Sequence, residues 1–348
     1  MKQNGLLLLV MILLCGVVAA QEDTSKAALR KKYEDSDIHK ELKKKMTTDR
    51  SYPDSIILAP LHFINTTITL DTPAVFFERF SMEVHISTPI PDDYRFYISP
   101  FNGTLNGMQF YGGIQTASDG KPVDGGSSQG IGRGGIFSRW MERNKNALKT
   151  DGYYASSDAE GDFISVRNKV KWDKGNYRLT LYKSGYVPGK PVPDSFVSKA
   201  LFFSWGEYEH SWVTMEVEDL DRQDTFVIGA LAFPGKKLRF GRWEGIFLEQ
   251  YGTVINFGSS RPAIGGKITN YKDLPVVRLS IGNIKLNGKP IHPLKVQTYH
   301  NRTHHPEQSK IPMRLPLLSK SSYNAQTGVI EYEVGAFQSW QTPSTPDL

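Results

Sequence analysis

From residue 55 onward, short stretches of the chain alternate apolar and polar positions with a period of two. In Ser211-Trp212-Val213-Thr214-Met215-Glu216-Val217, residues 213, 215 and 217 are apolar, so one side of an extended segment is fitted to a core and the other to water. Runs rich in aromatic and β-branched residues recur at 56–64, 75–86, 94–98, 108–116, 135–140, 163–172, 177–182, 201–205, 211–217, 225–233, 245–257 and 276–284. Such residues suit a pleated, half-buried surface. Turn signals separate them, among them Pro91-Asp92-Asp93, Asn102-Gly103, Asp173-Lys174-Gly175-Asn176 and Pro188-Gly189,. No stretch of helical period intervenes. The pattern predicts an all-β protein: a large antiparallel β-sandwich, jelly-roll or concanavalin-like, over 51–260, with a smaller C-terminal β-rich unit and a frayed tail over 261–348. Residues 117–134, rich in Gly, Ser and Asp, read as a long loop between two strands,.

The N-terminal region has a different texture. Lys2, the apolar run 6–18 and the small residues Val18-Ala19-Ala20 compose a secretory signal over 1–20, too short to span a bilayer. The single cysteine, Cys15, lies inside it, so a secreted chain would enter an oxidising compartment with no disulfide, no thiolate metal ligand and no cysteine nucleophile. Residues 21–50 form a charged leader, helical or disordered, ending near Lys43-Lys44-Lys45,. Asn65, Asn102 and Asn301 each open an N-x-[ST] triplet, which predicts glycosylated and therefore exposed positions in an extracellular protein. The net charge of +6 is small, and basic and acidic residues are interspersed, which argues against a nucleic-acid binder. No later apolar run is long enough for a membrane span,.

Two motifs in the Gly-rich stretch resemble catalytic signatures and lack their context. Gly126-Ser127-Ser128-Gln129-Gly130 fits G-x-S-x-G without the strand-to-helix elbow,. Gly130-Ile131-Gly132-Arg133-Gly134-Gly135 fits G-x-G-x-x-G but leads into a strand, so no helix N-terminus would receive a pyrophosphate,. The acidic run 216–224 lacks the glycine and terminal glutamate of a calcium loop,, and His292, His300, His304 and His305 are interrupted by prolines,. The sequence therefore predicts neither a metal site nor a cofactor.

Four strand signatures stand in order: Phe110-Tyr111-Gly112-Gly113-Ile114-Gln115, Ile136-Phe137-Ser138-Arg139-Trp140, the set Trp172, Gly175, Tyr177 and Arg178, and Gly245-Ile246-Phe247-Leu248-Glu249. Over about residues 55–260 they resemble a family of secreted proteins catalogued as domain of unknown function number 3472. The Gly-rich insertion, and Met141 where an acidic residue is common, depart from that family's pattern. The resemblance implies a β-sandwich in an extracellular setting and no mechanism.

Strand geometry supplies a separate reading of the same residues. Met108, Phe110, Gly112 and Ile114 should face the core, leaving Gln109, Tyr111, Gly113 and Gln115 on the other side,. With Trp140 from the next strand, Gln109, Tyr111 and Gln115 combine amides and rings in the manner of a glycan platform; the same pattern also suits a solvent-facing strand with cross-strand polar pairs, with Trp140 packed in the core. The first expectation is thus a non-enzymatic protein binding an extracellular glycan or matrix polymer. The second is a carbohydrate-active hydrolase or lyase using Glu207, His210 or Glu249 as acid or base, which requires two carboxylates facing each other across a groove. The third is a protein-interaction module with an exposed apolar patch. Glu244, five positions before Glu249, should point to the opposite face,.

Overall fold

The computed structural model describes residues 61–70, 76–158, 161–192, 206–251, 274–300 and 319–335. Its strands are β1 (Leu61–Leu70), β2 (Arg79–Ile86), β3 (Phe96–Leu105), β4 (Met108–Pro122), β5 (Gln129–Trp140), β6 (Leu148–Lys149), β7 (Tyr153–Asp158), β8 (Gly161–Lys169), β9 (Gly175–Val187), β10 (His210–Asp219), β11 (Asp224–Pro234), β12 (Trp243–Gln250), β13 (Val277–Leu286), β14 (Lys289–Pro290), β15 (Pro293–His300), β16 (Ser319–Asn324) and β17 (Val329–Val334). Among the described residues they form two antiparallel sheets. One has eight strands in the order β15-β1-β12-β3-β4-β5-β8-β7; the other has nine, β16-β17-β13-β2-β9-β10-β11-β6, with β14 beside β13. No described helix is long and apolar enough to cross a membrane.

The sandwich follows from alternation. Phe80, Met82, Val84 and Ile86 of β2, Leu179 and Leu181 of β9, and Val213, Met215 and Val217 of β10 meet Ile98, Phe101, Phe110, Ile114, Phe137, Ile246 and Leu248 of the opposite sheet in one buried cluster. Ring contacts join the layers, with Phe80 5.6 Å from Phe101 and Phe137 stacked 6.2 Å from Phe233. Each such side chain contributes roughly 1.5–3 kcal/mol when removed from water. At Gly112 the sheets come so close that a Cβ would stand 3.1 Å from the Met215 sulfur.

Two sequence expectations need correction. Residues 117–134 are mostly strand rather than loop: β4 runs on to Pro122, β5 starts at Gln129, and Ser118 pairs with Gly132 and Gly120 with Gln129. Small residues carry little hydrophobic signal but suit this crowded hairpin, where a Cβ at Gly120 would meet Tyr153 at 2.8 Å. The five-residue G-x-S-x-G match therefore runs from the hairpin tip into the start of β5. Nor do the described strands after residue 260 stand apart, because β13 pairs with β2 and β17 while β15 pairs with β1, so they extend both sheets. The signal at 1–20, the leader at 21–50, the run 201–205, Asn301, His304 and His305 lie outside the described residues. The acidic run 216–224 ends β10, makes the turn and opens β11, with Asp219 Oδ1 accepting the Asp221 and Arg222 amides at 3.0 and 2.9 Å.

Candidate functional site

The outward side of the eight-stranded sheet gathers most of the candidate residues. In β4, Met108, Phe110 and Ile114 enter the core, and Gln109 and Tyr111 stay half-buried on the other side. In β5, Phe137 and Arg139 turn inward while Ser138 and Trp140 share the face of Tyr111. Tyr111 and Trp140 stand 5.8 Å apart at 41°, and Trp140 meets Phe163 of β8 edge-on at 6.0 Å. These rings form an aromatic wall. Beside it the Gln109 amide donates to Asn102 Oδ1 at 3.2 Å, and the Ser138 hydroxyl donates to Ser165 at 2.8 Å, both serines being buried.

Further along the same face, cross-strand register aligns three polar groups. Glu249 of β12 pairs with Tyr97 of β3, and Tyr97 pairs with Gln115 of β4. Adjacent strands lie about 4.8 Å apart, so Glu249 and Gln115 are about 10 Å apart at Cα with Tyr97 between them. Tyr97 is 3% exposed, yet it is absent from the core cluster between the sheets. Its ring is held edge-on by Phe247 at 5.2 Å and Tyr251 at 6.5 Å.

Desolvation decides the ionisation of this row. Burial pushes the Glu249 carboxyl up to about 8, because a carboxylate loses more than a carboxylic acid on leaving water. Burial likewise raises the Tyr97 phenol well above its ordinary value, with the Tyr111 and Glu249 charges adding to the rise and Ser99 and Arg167 opposing it. Tyr97 is therefore a neutral donor at any physiological pH, and its Oη makes no well-formed hydrogen bond. Arg167 flanks the row from β8, tied to Asp119 by its Nη1 at 2.6 Å from both Oδ1 and the carbonyl.

The backbone at the row's centre is unusual. The register of β3 against β4 slips between Ile98 and Phe101, and Ser99 Oγ donates to the Gly112 carbonyl at 3.2 Å. The bulged strand leans over Gly113, where a Cβ would lie 1.9 Å from the Ile98 carbonyl oxygen. Glycine is required there for close approach, and the bulge re-aims the chain beside Tyr97.

The structure thus brings Gln109, Tyr111 and Gln115 to one face, as their alternation predicted, places on it Trp140, which the sequence left open between core and platform, and adds Glu249. Gln115 is only 9% exposed, so it lines the floor of the face rather than standing on a platform. The rest of the acid–base set does not converge. Glu207 is an exposed residue ahead of β10, 3.7 Å from Lys190. His210 is buried in the nine-stranded sheet, with Nδ1 3.0 Å from the Tyr208 carbonyl and its ring 5.5 Å from Trp212. Glu244 faces the core as expected, accepting the Asn102 amide at 2.5 Å. Asn65 and Asn102 are half-buried strand residues instead of the exposed positions their triplets predicted. Among the described residues no group of three or more His, Cys, Asp or Glu could hold a metal. Sequence reasoning missed Tyr97 and Arg167. Tyr97 falls in a predicted strand, but its place in the row depends on pairing partners that are 18 and 152 positions away.

Neither a family model nor a curated protein matches this chain. Among solved structures it is similar to Scytalido-glutamic peptidase with a peptide-based transition-state analogue (TM-score 0.38, 6% identity) and with a transition-state analogue inhibitor (TM-score 0.36, 7% identity). It is also similar to SCP-B, a member of the Eqolisin family of peptidases in complex with the tripeptide Ala-Ile-His (TM-score 0.31, 8% identity). Each similarity covers 80% of this chain and 100% of the other.

Proposed function

We propose that the outward face of the eight-stranded sheet is a hydrolytic site for an acyl bond in an extended polymer, on a secreted protein. The observation that carries this reading is the row Glu249–Tyr97–Gln115, which sets one carboxyl that titrates near 8 beside two neutral hydrogen-bond donors. Acyl hydrolysis needs one proton-transfer group and donors for the oxyanion that develops on the carbonyl. Below pH 8 Glu249 holds its proton: water attacks the carbonyl carbon, the Tyr97 hydroxyl and the Gln115 amide receive the oxyanion, Glu249 gives its proton to the leaving group as the acyl bond breaks, and the carboxylate so formed takes up the proton that the water loses. The Tyr111–Trp140–Phe163 wall holds flanking substrate. Glycosidic cleavage fits less well, since it takes two opposed carboxyl groups, and Asp119, on the same strand as Gln115, is committed to Arg167.

A second reading has its own observation. The Tyr111–Trp140 pair is a stacking surface independent of Glu249, and it supports the non-enzymatic binding of an extracellular glycan or matrix polymer. The strand signatures that resemble a secreted family of unknown function fit either reading.

One experiment separates them. Release of soluble peptides from a denatured protein substrate should be level at acidic and neutral pH, fall above pH 8, and drop at least ~100-fold in Glu249→Gln. Undetectable hydrolysis by the wild type between pH 3 and 9 would overturn the hydrolase. Retention on a glycan array that is lost in the Tyr111→Ala/Trp140→Ala double variant, with hydrolysis absent, would establish the binding role in its place.

A further inference from the structure

At the far end of β12 from Glu249, the segment entering that strand reads Gly235-Lys236-Lys237-Leu238-Arg239-Phe240-Gly241-Arg242. Leu238 and Phe240 are 1% and 5% exposed and anchor it in the core. Lys236, Lys237, Arg239 and Arg242 are all exposed, and none of them forms an ion pair among the described residues. Lys183 of β9 joins them, its Nζ donating to the Lys236 carbonyl at 2.7 Å.

Beside this cluster an aromatic ring is left in solvent. Phe76, 44% exposed, bridges to Arg239, and its ring lies 5.0 Å from Lys237 Nζ and 5.9 Å from Arg239 Cζ. Lys236 Nζ sits 5.2 Å from the Tyr186 ring. Cations alternating with rings in this way offer both charge and an apolar contact surface. Glu78 and Glu209 are the acidic side chains on the adjoining elements, and Glu209 is engaged by the Tyr186 hydroxyl at 2.8 Å.

The backbone of the patch is riveted by two asparagines of Asn-Gly turns. Asn106, at φ 48°, donates to the Pro234 and Lys237 carbonyls at 2.7 and 3.0 Å and accepts the Arg239 amide at 2.7 Å. Asn287, at φ 51°, accepts the Glu78 and Arg79 amides at 2.8 and 3.0 Å and donates to the Phe76 carbonyl at 2.7 Å. The two segments also bond to each other, Phe77 N to the Leu238 carbonyl at 2.7 Å. Lysines and arginines on so fixed a frame bind without the cost of ordering a loop.

We infer that this end of the sandwich, Lys183, Lys236, Lys237, Arg239 and Arg242 around Phe76, is a docking surface for a polyanionic glycan bearing sulfate or carboxylate groups. Lys237 and Arg239 are two residues apart in extended backbone, about 6.6 Å, a spacing suited to a row of ring-borne anions. The short run and the low overall charge do not suit a duplex, for which a basic stripe along a whole face would be expected. The surface is separate from the Glu249 row and stands whether or not that row hydrolyses anything.

The test is chromatography of the full chain on immobilised heparin, used as the sulfated probe. The wild type should elute at several tenths molar salt, and Lys236→Ala/Lys237→Ala/Arg239→Ala should elute at least ~0.2 M earlier with an unchanged melting temperature, because surface charges contribute little to folding. Lys121→Ala/Lys171→Ala/Lys174→Ala removes the same charge elsewhere and should elute with the wild type. Equal shifts in both variants would overturn the inference. So would retention on duplex DNA or on anionic phosphatidylserine vesicles as strong as on heparin.

Discussion

Along the outside of the nine-stranded sheet, Arg178 stands in register between Glu83 and Glu218, 2.8 Å from each, and Arg79–Glu216 and Arg278–Glu333 repeat the arrangement at 2.9 and 2.6 Å. The eight-stranded sheet instead shows rings, serines, an amide and Glu249 whose proton is held to about 8. Both outer faces are polar by sequence and both hold ion pairs, Arg167–Asp119 on the eight-stranded side, yet that side also sets among its rings a carboxyl whose titration burial has moved this far. A paired, solvated lattice keeps a sheet soluble and does little else. A desolvated face with a perturbed carboxyl costs stability, and such faces cluster where chemistry is done.

The largest test of this contrast is geometric. Gly113→Ala would place a methyl group 1.9 Å from the Ile98 carbonyl oxygen and 2.8 Å from Ser99 Cα, against backbone that cannot yield. A loss of roughly 3 kcal/mol or more is expected in denaturant unfolding. Gly185→Ala, in β9 of the other sheet, meets its nearest atom at an ordinary 3.7 Å and should stay within about 0.5 kcal/mol. Equal losses would show that the bulge near Tyr97 is no tighter than the sheet opposite.

Next in size is a pH effect. Glu249 titrates near 8 in the fold against an unperturbed 4.5, so its protonated form is the one the fold favours. Its contribution is complete below pH 4.5 and lost as pH rises through 8, the unfolded chain binding fewer protons over that interval. Glu244, buried in the core, is shifted in the same direction. Stability should therefore decline from pH 5 to pH 8, by on the order of a few kcal/mol. Glu249→Gln should remove part of the slope, leaving the part due to Glu244. A variant with the full wild-type slope would mean that Glu249 is solvated and that the contrast between the faces is false.

What the chain made legible, and what it hid, follows from the range of the interactions. Period-two alternation is local, so the sandwich, the inward Phe110 and Ile114 and the outward Tyr111 could be read directly, while Trp140 could be placed only opposite to Arg139 and not assigned to core or surface. The opposed directions of Glu244 and Glu249 were equally legible. Strand pairing is not local: that β15 would complete the edge beside β1, or that Tyr97 would lie between Glu249 and Gln115, is written in no neighbouring residues. Small residues mislead for a related reason, since Ser118 and Gly120 look like loop until the crowding that requires them is known. Half-burial of Asn65 and Asn102 depends on neighbours across the sheet that no triplet motif reports.

The smallest expected effect completes the contrast. Arg178 keeps a third of its side chain in solvent, at 33%, as do its partners at 30% and 34%, and the Glu83 hydrogen bond leads the causes that raise its pKa. Coulomb attraction between such groups is weakened by water and offset by the entropy of fixing long side chains. Arg178→Ala should cost no more than about 1 kcal/mol at low salt, and most of that should vanish at 1 M salt. Like charges left facing each other across β9, Glu83 against Glu218, account for the salt-sensitive share. A loss of several kcal/mol that persists in high salt would mean the triad is desolvated after all, and the nine-stranded face would then have to be counted as a candidate site on the same grounds as its counterpart.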